Sequence, residues 1–236
     1  TIEKIMNSNL NEKVEFAKAL EALGVDMIEA GFAGSSQGDF QAVSAISAAV
    51  NTGVCSLARC VESDIRASWD ALKNAAKPRI HVFIATSPVH RAAKLNMSKE
   101  QVLEAAVRGV RLARSLCADV QFSCEDATRT EPDFLYQVYR AVVAEGATTL
   151  NIPDTVGYSS VKEYGQLIAD IRRNVVGERE DIILSAHCHN DLGLATATTL
   201  EAIRTYCLEQ VDTLWDEVKR FDNPHTYYVD LSQKLW

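Results

Sequence analysis

A strand-then-helix unit recurs along the sequence, and this repeat constrains the fold more than any other feature. Predicted strands begin near residues 25, 54, 79, 119, 147 and 181, and a segment with helical spacing of apolar residues follows each one. Parallel strands need crossover helices, so the alternation predicts a parallel sheet with right-handed connections. We predict an α/β fold of the (β/α) TIM-barrel type, incomplete, with about six of the eight units of a closed barrel.

Polar residues at the ends of these strands favour a barrel over an open sheet. A barrel builds its active site from the carboxyl ends of all its strands, whereas a doubly wound sheet usually binds ligands at one switch point. Here every predicted strand ends in a polar cluster. The clusters are Glu29, Arg59, Thr86 with Ser87, Glu125 with Asp126, Asp154 with Thr155, and His187 with His189.

The last of these clusters, His187-Cys188-His189, predicts a metal site. Side chains two residues apart on a strand point to the same face, so both imidazoles should converge at the carboxyl end of the strand. Two histidines placed in this way can bind one divalent cation and leave room for a carboxylate and a substrate. From these residues alone, a pair of polar strand-end side chains without a metal remains the alternative.

Composition and charge exclude several classes of function. The chain has 236 residues and a net charge of −8 with no basic run, which argues against nucleic acid and anionic membranes as partners. No apolar run is long enough to span a membrane and no signal peptide is present, so we expect a cytoplasmic protein. The six cysteines have no CxxC spacing, which is typical of reduced, buried thiols.

Five longer stretches resemble the 2-isopropylmalate synthase family, one of the metal-dependent aldolase and acyltransferase barrels that include homocitrate synthase and hydroxymethylglutaryl-CoA lyase. The stretches are LNEKVEFAKALEALGVDMIEAGF, PRIHVFIATSPVH, VQFSCEDATRTEPDFL, TTLNIPDTVGY and SAHCHNDLGLATA, and they cover about residues 8 to 204. IHVFIATS and FSxEDATR favour the isopropylmalate branch over the lyase. Homocitrate and citramalate synthases are less well separated by these stretches and remain alternatives.

The resemblance implies an acyltransferase of leucine biosynthesis. Enzymes of this family add the enolate of acetyl-CoA to the 2-oxo acid 2-oxoisovalerate and hydrolyse the thioester. A divalent metal (Mg²⁺, Mn²⁺ or Zn²⁺) polarises the ketone as a Lewis acid, and the resemblance implies His187 and His189 as its ligands. Acetyl-CoA and a 2-oxo acid are therefore the expected partners, and we expect a homo-oligomer.

The same resemblance implies roles for further residues. Glu125 would be the catalytic residue beside the metal, although a strand-end ion pair with Arg129 is the structural alternative. His81 would line the 2-oxo acid pocket, with a buried core histidine as the alternative, and Thr155 would bind the substrate carboxylate. The remaining candidates for substrate binding, with turn, packing or pairing roles as alternatives, are Leu57, Ser123, Asn151, Pro153 and the supporting residue Glu29.

Two parts of the family pattern are not matched. The family opens with an Arg-Asp-Gly-x-Gln strand, which supplies a catalytic arginine and a carboxylate ligand, and TIEKIMNS stands at that position here. The family also continues past the HxH helix into Asn-Gly-x-Gly-Glu-Arg-x-Gly-Asn, whereas LWDEVKRFDNPHTYYVDLSQKLW resembles the end of bacterial nicotinate phosphoribosyltransferases. We predict a partial barrel over residues 1–204 and an unrelated helical and aromatic tail over residues 205–236.

The missing arginine lowers the expected activity. Removing one donor that stabilises a transition state costs about 100- to 1000-fold in rate, so we expect turnover at least about 100-fold below that of a complete synthase. A catalytically inactive relic that acts as a binding or scaffold protein is therefore the competing prediction. Phosphoribosyl transfer, which the tail suggests, is disfavoured because no phosphate-binding loop for that chemistry is present.

If His187 and His189 share one cation, titration with Mn²⁺ or Zn²⁺ will show a single site that His187→Ala and His189→Ala each abolish. We expect weak binding, because two imidazoles alone make an incomplete ligand set. Isothermal titration calorimetry on the three proteins checks this, and unchanged affinity in both variants would contradict the assignment.

Overall fold

A computed structural model describes residues 9–211 of the chain, with side chains to residue 206, and its centre is one curled parallel sheet. Each strand pairs only with its neighbours in sequence, in the order β1-β2-β3-β4-β5-β6. A doubly wound sheet would reverse its strand order at a switch point, so the prediction of an incomplete barrel is confirmed. The strands are β1 (Met27–Gly31), β2 (Gly53–Arg59), β3 (Lys77–Ala85), β4 (Val120–Glu125), β5 (Thr149–Asp154) and β6 (Ile183–Cys188).

Helices connect the strands and cover the outer face of the sheet. The longer helices are α1 (Leu10–Ala22), α2 (Gln37–Ala49), α3 (Glu62–Leu72), α4 (Lys99–Leu116), α5 (Pro132–Ala144), α6 (Val161–Ile171) and α7 (Ala195–Val211). Shorter helical segments lie at Pro88–His90, Arg91–Leu95, Ala127–Arg129 and Arg172–Val176. The core lies between sheet and helices, because the outward strand residues, among them Val54, Ile80 and Phe122, are fully buried.

Asn11 and Asp39 are of residue types that commonly cap helices, and the sequence predicts them as the caps of α1 and α2. The structure instead begins α1 after Asn9 and α2 after Ser36. Asn9 is preferred because Glu12, three residues on, accepts a hydrogen bond from its backbone N–H and completes a capping box. The spacing of Ser98 with Gln101 and of Ser160 with Glu163 predicts capping boxes at α4 and α6, and both are present.

Strand β5 continues through a proline. The sequence predicts a strand over residues 147–151, whereas the structure places β5 at Thr149–Asp154, with Pro153 inside it. Proline is tolerated here because Asn151 is the last β5 residue paired with β4, so the missing N–H of Pro153 removes nothing from that ladder. Pro153 instead lies opposite His187 on β6.

Two buried tyrosines on the outer helices form hydrogen bonds with the backbone of strands β5 and β6. Tyr139 on α5 donates a hydrogen bond of 2.8 Å to the carbonyl of Asn151. Tyr164 on α6 donates one of 2.5 Å to the carbonyl of Ile152 and accepts one of 3.1 Å from the backbone N–H of His187. Tyr164 therefore joins β5 to β6 directly behind the predicted metal site.

The predicted domain boundary falls inside a helix, since α7 continues past residue 204 to Val211. Most of the predicted tail, and the TIEKIMNS segment, lie outside the described residues, so the two-region division stays a prediction. Within residues 9–211, no helix combines the length and apolarity needed to cross a membrane.

Tyr164→Phe should lower the free energy of unfolding by about 1–3 kcal/mol, because the His187 N–H loses its acceptor and the Ile152 carbonyl loses a donor. Tyr139→Phe is the matched comparison, because its hydroxyl likewise donates to a β5 carbonyl and contacts a strand backbone, that of Cys124, and we expect a similar loss. Urea denaturation of both variants checks this, and an unchanged free energy of unfolding in Tyr164→Phe would show that the contact with His187 contributes nothing.

Candidate active site

The inner face of the sheet carries a line of hydrogen bonds that crosses from β1 to β6. Glu29 Oε2 lies 2.5 Å from His81 Nδ1, and His81 Nε2 lies 2.6 Å from Ser123 Oγ. Asn151 Nδ2 lies 2.7 Å from the same serine oxygen and 3.1 Å from His187 Nδ1. We call these five residues the polar line. The structure therefore joins, in one hydrogen-bond network, five residues that the sequence predicts separately as a metal ligand, as pocket residues or as a supporting residue.

The two histidines at the end of β6 lie at the end of the polar line. His187 Nε2 is 3.1 Å from His189 Nε2, and the ring centroids are 5.1 Å apart. Two nitrogens that bind one cation at about 2.1 Å each lie about 3.0–3.4 Å apart, so this spacing suits a shared divalent ion. Asn151 Oδ1, behind the pair, is buried and has no hydrogen-bond partner among the described residues. The donor set thus fits a divalent metal, and the ligand role of the pair stays a prediction.

Glu29 is the charged residue at the other end of the polar line. Burial raises the pKa of its carboxyl, but the electrostatic and hydrogen-bond contact with His81 outweighs burial and holds that pKa below its ordinary value. Cys55, its partner in register on β2, directs Sγ to within 3.8 Å of Glu29 Oε2. The donor atoms of Glu29, Cys55 and His81 all lie within 4.8 Å of one another, so they offer a second group able to hold a metal ion.

Glu125 is paired differently from either prediction. Lys94 Nζ lies 2.6 and 2.8 Å from its two carboxylate oxygens. Arg129, the alternative partner, pairs with Asp126 at 2.7 Å instead. Asp126 has φ of +66°, and the short helical turn that follows returns Arg129 to Asp126. No hydrogen bond joins Glu125 to the histidine pair within the described part of the chain.

The other predicted site residues flank the polar line. Leu57 lies opposite His81 in register, and Pro153 lies opposite His187. Thr155 Oγ1 accepts a hydrogen bond of 2.9 Å from the backbone N–H of Asp126, which ties the ends of β4 and β5 together. A hydroxyl that accepts in this way keeps its own O–H for a ligand.

Three residues of the site had no role in the sequence prediction. Gln121 Nε2 lies 3.3 and 3.4 Å from the ring nitrogens of His81. Strand alternation could have found it, because it precedes Ser123 by two residues. Cys55 could have been found in the same way from Leu57. Lys94 has no such signal, since it lies in the irregular helical segment Arg91–Leu95.

The loop after β5 packs directly on the backbone that carries the second histidine. Gly157 has φ of +59°, and a Cβ there would lie 3.0 Å from the His189 carbonyl carbon and 2.9 Å from the Asp191 nitrogen. Distances below about 3 Å to backbone force the chain to move. Only glycine therefore permits this close approach of the two loops.

Comparison with known proteins agrees with this architecture. The profile of the family described as HMGL-like matches residues 3–213. A 2-isopropylmalate synthase from Clostridium kluyveri is 52% identical over 205 residues, which are 86% of this chain and 40% of that protein. One from a Geobacillus species is 53% identical over 199 residues, 84% of this chain and 38% of that protein. The chain thus spans about two fifths of the length of these relatives, and the predicted resemblance is confirmed.

The solved structures with the same fold include a hydroxymethylglutaryl-CoA lyase from Pseudomonas aeruginosa. It superposes with a TM-score of 0.68 at 22% identity, covering 85% of this chain and 67% of that one. An identity this low supports the barrel fold alone.

Gly157→Ala should weaken Mn²⁺ binding by at least about tenfold, because the new methyl group displaces the backbone at His189. Gly24→Ala is the matched control. Gly24 also has positive φ, +87°, but a Cβ there meets no atom within 4 Å. The control should lose about 1–2 kcal/mol of stability from backbone strain and keep its metal affinity. Calorimetric titration and thermal unfolding of both variants separate the two effects, and equal affinities would contradict the packing argument.

Proposed function

Because the chain belongs to the HMGL-like family, we propose that it forms part of the catalytic barrel of a 2-isopropylmalate synthase. Such an enzyme is an acyltransferase that joins acetyl-CoA to the 2-oxo acid 2-oxoisovalerate. The observation that carries the proposal is 52% identity over 205 residues with proteins of that name. The histidine pair supports it, since it lies at the carboxyl end of β6, the end of the strands where βα barrels carry out chemistry.

His187 and His189 would hold the divalent cation, Mg²⁺, Mn²⁺ or Zn²⁺. When bound, such a cation supplies Lewis acidity to the 2-oxo group of the substrate. The protein's own contribution is to fix the two imidazoles. The backbone of His187 is held by Tyr164, its ring is held by Asn151, and the loop at Gly157 supports His189.

The substrate pocket would lie along the polar line. His81, with Leu57 opposite it and Ser123 beside it, would line the 2-oxo acid site. Thr155 would donate its remaining O–H to the substrate carboxylate. Glu29, ionised and hydrogen-bonded to His81, would keep that ring in a fixed orientation and tautomer, as a carboxylate partner does for other working histidines.

Glu125 would orient a water molecule or the substrate at the mouth of the site. Its ion pair with Lys94 keeps the carboxylate in place on the inner face, in alternation with Ser123. Both of its carboxylate oxygens contact the same ammonium group, which fixes the orientation of the carboxylate. We therefore assign Glu125 to orientation.

The proposal is tested by thiol release from acetyl-CoA in the full-length protein, with added Mn²⁺ and each of 2-oxoisovalerate, 2-oxoglutarate and pyruvate. We expect CoA release that depends on the 2-oxo acid and is fastest with 2-oxoisovalerate. Preference for 2-oxoglutarate or pyruvate would instead indicate a homocitrate or citramalate synthase. CoA release at the same rate with and without a 2-oxo acid would contradict synthase activity.

Glu125→Gln in the same assay should lower kcat by about 100-fold, the usual cost of a misplaced reacting group, because the amide no longer orients the water molecule or substrate as the carboxylate does. Glu145→Gln is the matched control, because Glu145 is also paired with a basic side chain, Arg111, but lies at the outer end of α5. A similar loss in both variants would show that the effect is structural.

A further inference from the structure

The side chain of Asn151 is hydrogen-bonded at one end only. It is fully buried, and its Nδ2 contacts both Ser123 Oγ, at 2.7 Å, and His187 Nδ1, at 3.1 Å. Both N–H bonds of the amide are therefore used. Its Oδ1 is buried without a hydrogen-bond partner among the described residues. A buried amide oxygen in this state is unusual and calls for an explanation.

This orientation determines where the proton of His187 lies. An amide nitrogen can only donate, so His187 Nδ1 must accept and carries no proton. In the neutral ring the proton then lies on Nε2. That atom is 3.1 Å from His189 Nε2, to which it donates. The nitrogen that faces the second histidine thus has no lone pair for a cation in this arrangement.

We propose that Asn151 is a positioning residue that sets the tautomer of His187, and that its amide turns over when the histidine pair takes up a divalent cation. After a half-turn, Oδ1 occupies the present position of Nδ2. It then accepts the Nδ1–H of His187, and the Nε2 lone pair is directed to the cation. Ligand histidines usually donate their other N–H to an oxygen in this way. The proton moves from Nε2 to Nδ1 through solvent, so none is gained or lost.

The hydrogen bonds of the neighbouring residues can rearrange when the Asn151 amide turns. In the present arrangement Glu29 Oε2 accepts from His81 Nδ1, so Nε2 of the neutral ring accepts and the Ser123 O–H is directed to it. After the half-turn this O–H donates to Asn151 Oδ1. Gln121 Nε2, 3.4 Å from His81 Nε2, is then the remaining donor to that ring nitrogen. The turned amide leaves its N–H bonds without the partners they have now, so the half-turn requires a bound cation to offset that loss.

The inference rests on the proposed function only in taking His187 and His189 as the metal pair. It is tested by long-range ¹H–¹⁵N correlation NMR of histidine-labelled protein, in which the His187 signals are identified by their loss in His187→Gln. We expect the Nε2–H tautomer without metal and the Nδ1–H tautomer with Zn²⁺. Asn151→Asp, whose carboxylate only accepts, should show Nδ1–H without metal and bind Zn²⁺ no more weakly than the wild type.

Asn151→Leu should bind Zn²⁺ about 10- to 100-fold more weakly, because the ring loses its oxygen partner. Gln121→Met is the matched control, since it removes a buried amide that contacts His81 and not His187. It should leave the metal-free tautomer of His187 unchanged. An Nδ1–H tautomer in the metal-free wild type, or no change of tautomer in Asn151→Asp, overturns the role of Asn151. Absence of Zn²⁺ binding in every protein overturns the metal site itself, and the metal-free spectra still decide what Asn151 does.

Discussion

The structure depends on the mutual pairing of polar groups on the inner face of the sheet. Alternation along the strands sends apolar side chains such as Val54, Ile80 and Phe122 outward to the helices, and places the five residues of the polar line on the inner face. An unpaired buried polar group costs about 1–3 kcal/mol, so these residues are stable inside only as a connected set. The polar line meets this requirement by linking five strands (β1, β3, β4, β5 and β6) through single atoms such as Ser123 Oγ, which contacts two neighbours.

The two ends of the sheet have different tasks. At the amino ends of the strands, Arg79 is buried and pairs with Asp119 at 2.9 Å. That ion pair lies at the amino-terminal end of the sheet interior. At the carboxyl ends lie the histidine pair and Thr155, whose own O–H is not used by its contact with Asp126. This division matches the separation of stability and chemistry in βα barrels and agrees with the family to which the chain belongs.

Features that depend on local periodicity could be predicted from the sequence. The strands, the shared face of His187 and His189, and two of the capping boxes follow from spacing within one segment. The contacts of Ser123 with His81 and Asn151 depend on register between strands, which no single segment encodes. The partner of Glu125 was missed for a related reason. Lys94 reaches it from the irregular segment after β3, 31 positions away in sequence, whereas the prediction considered only the adjacent Arg129.

The strictly sequential order of the strands has a consequence for how the protein is made. Among the described residues, β1 to β6 pair only with strands next to them in sequence, so each strand from β2 onward finds its first partner in the strand that precedes it. Chain emerging from a ribosome can therefore add one strand and one helix at a time to a growing edge. The entropy of closing each loop is that of a single strand–helix connection and does not grow with chain length. The histidine pair, on the last of the six strands, is then completed only after every other member of the polar line is in place.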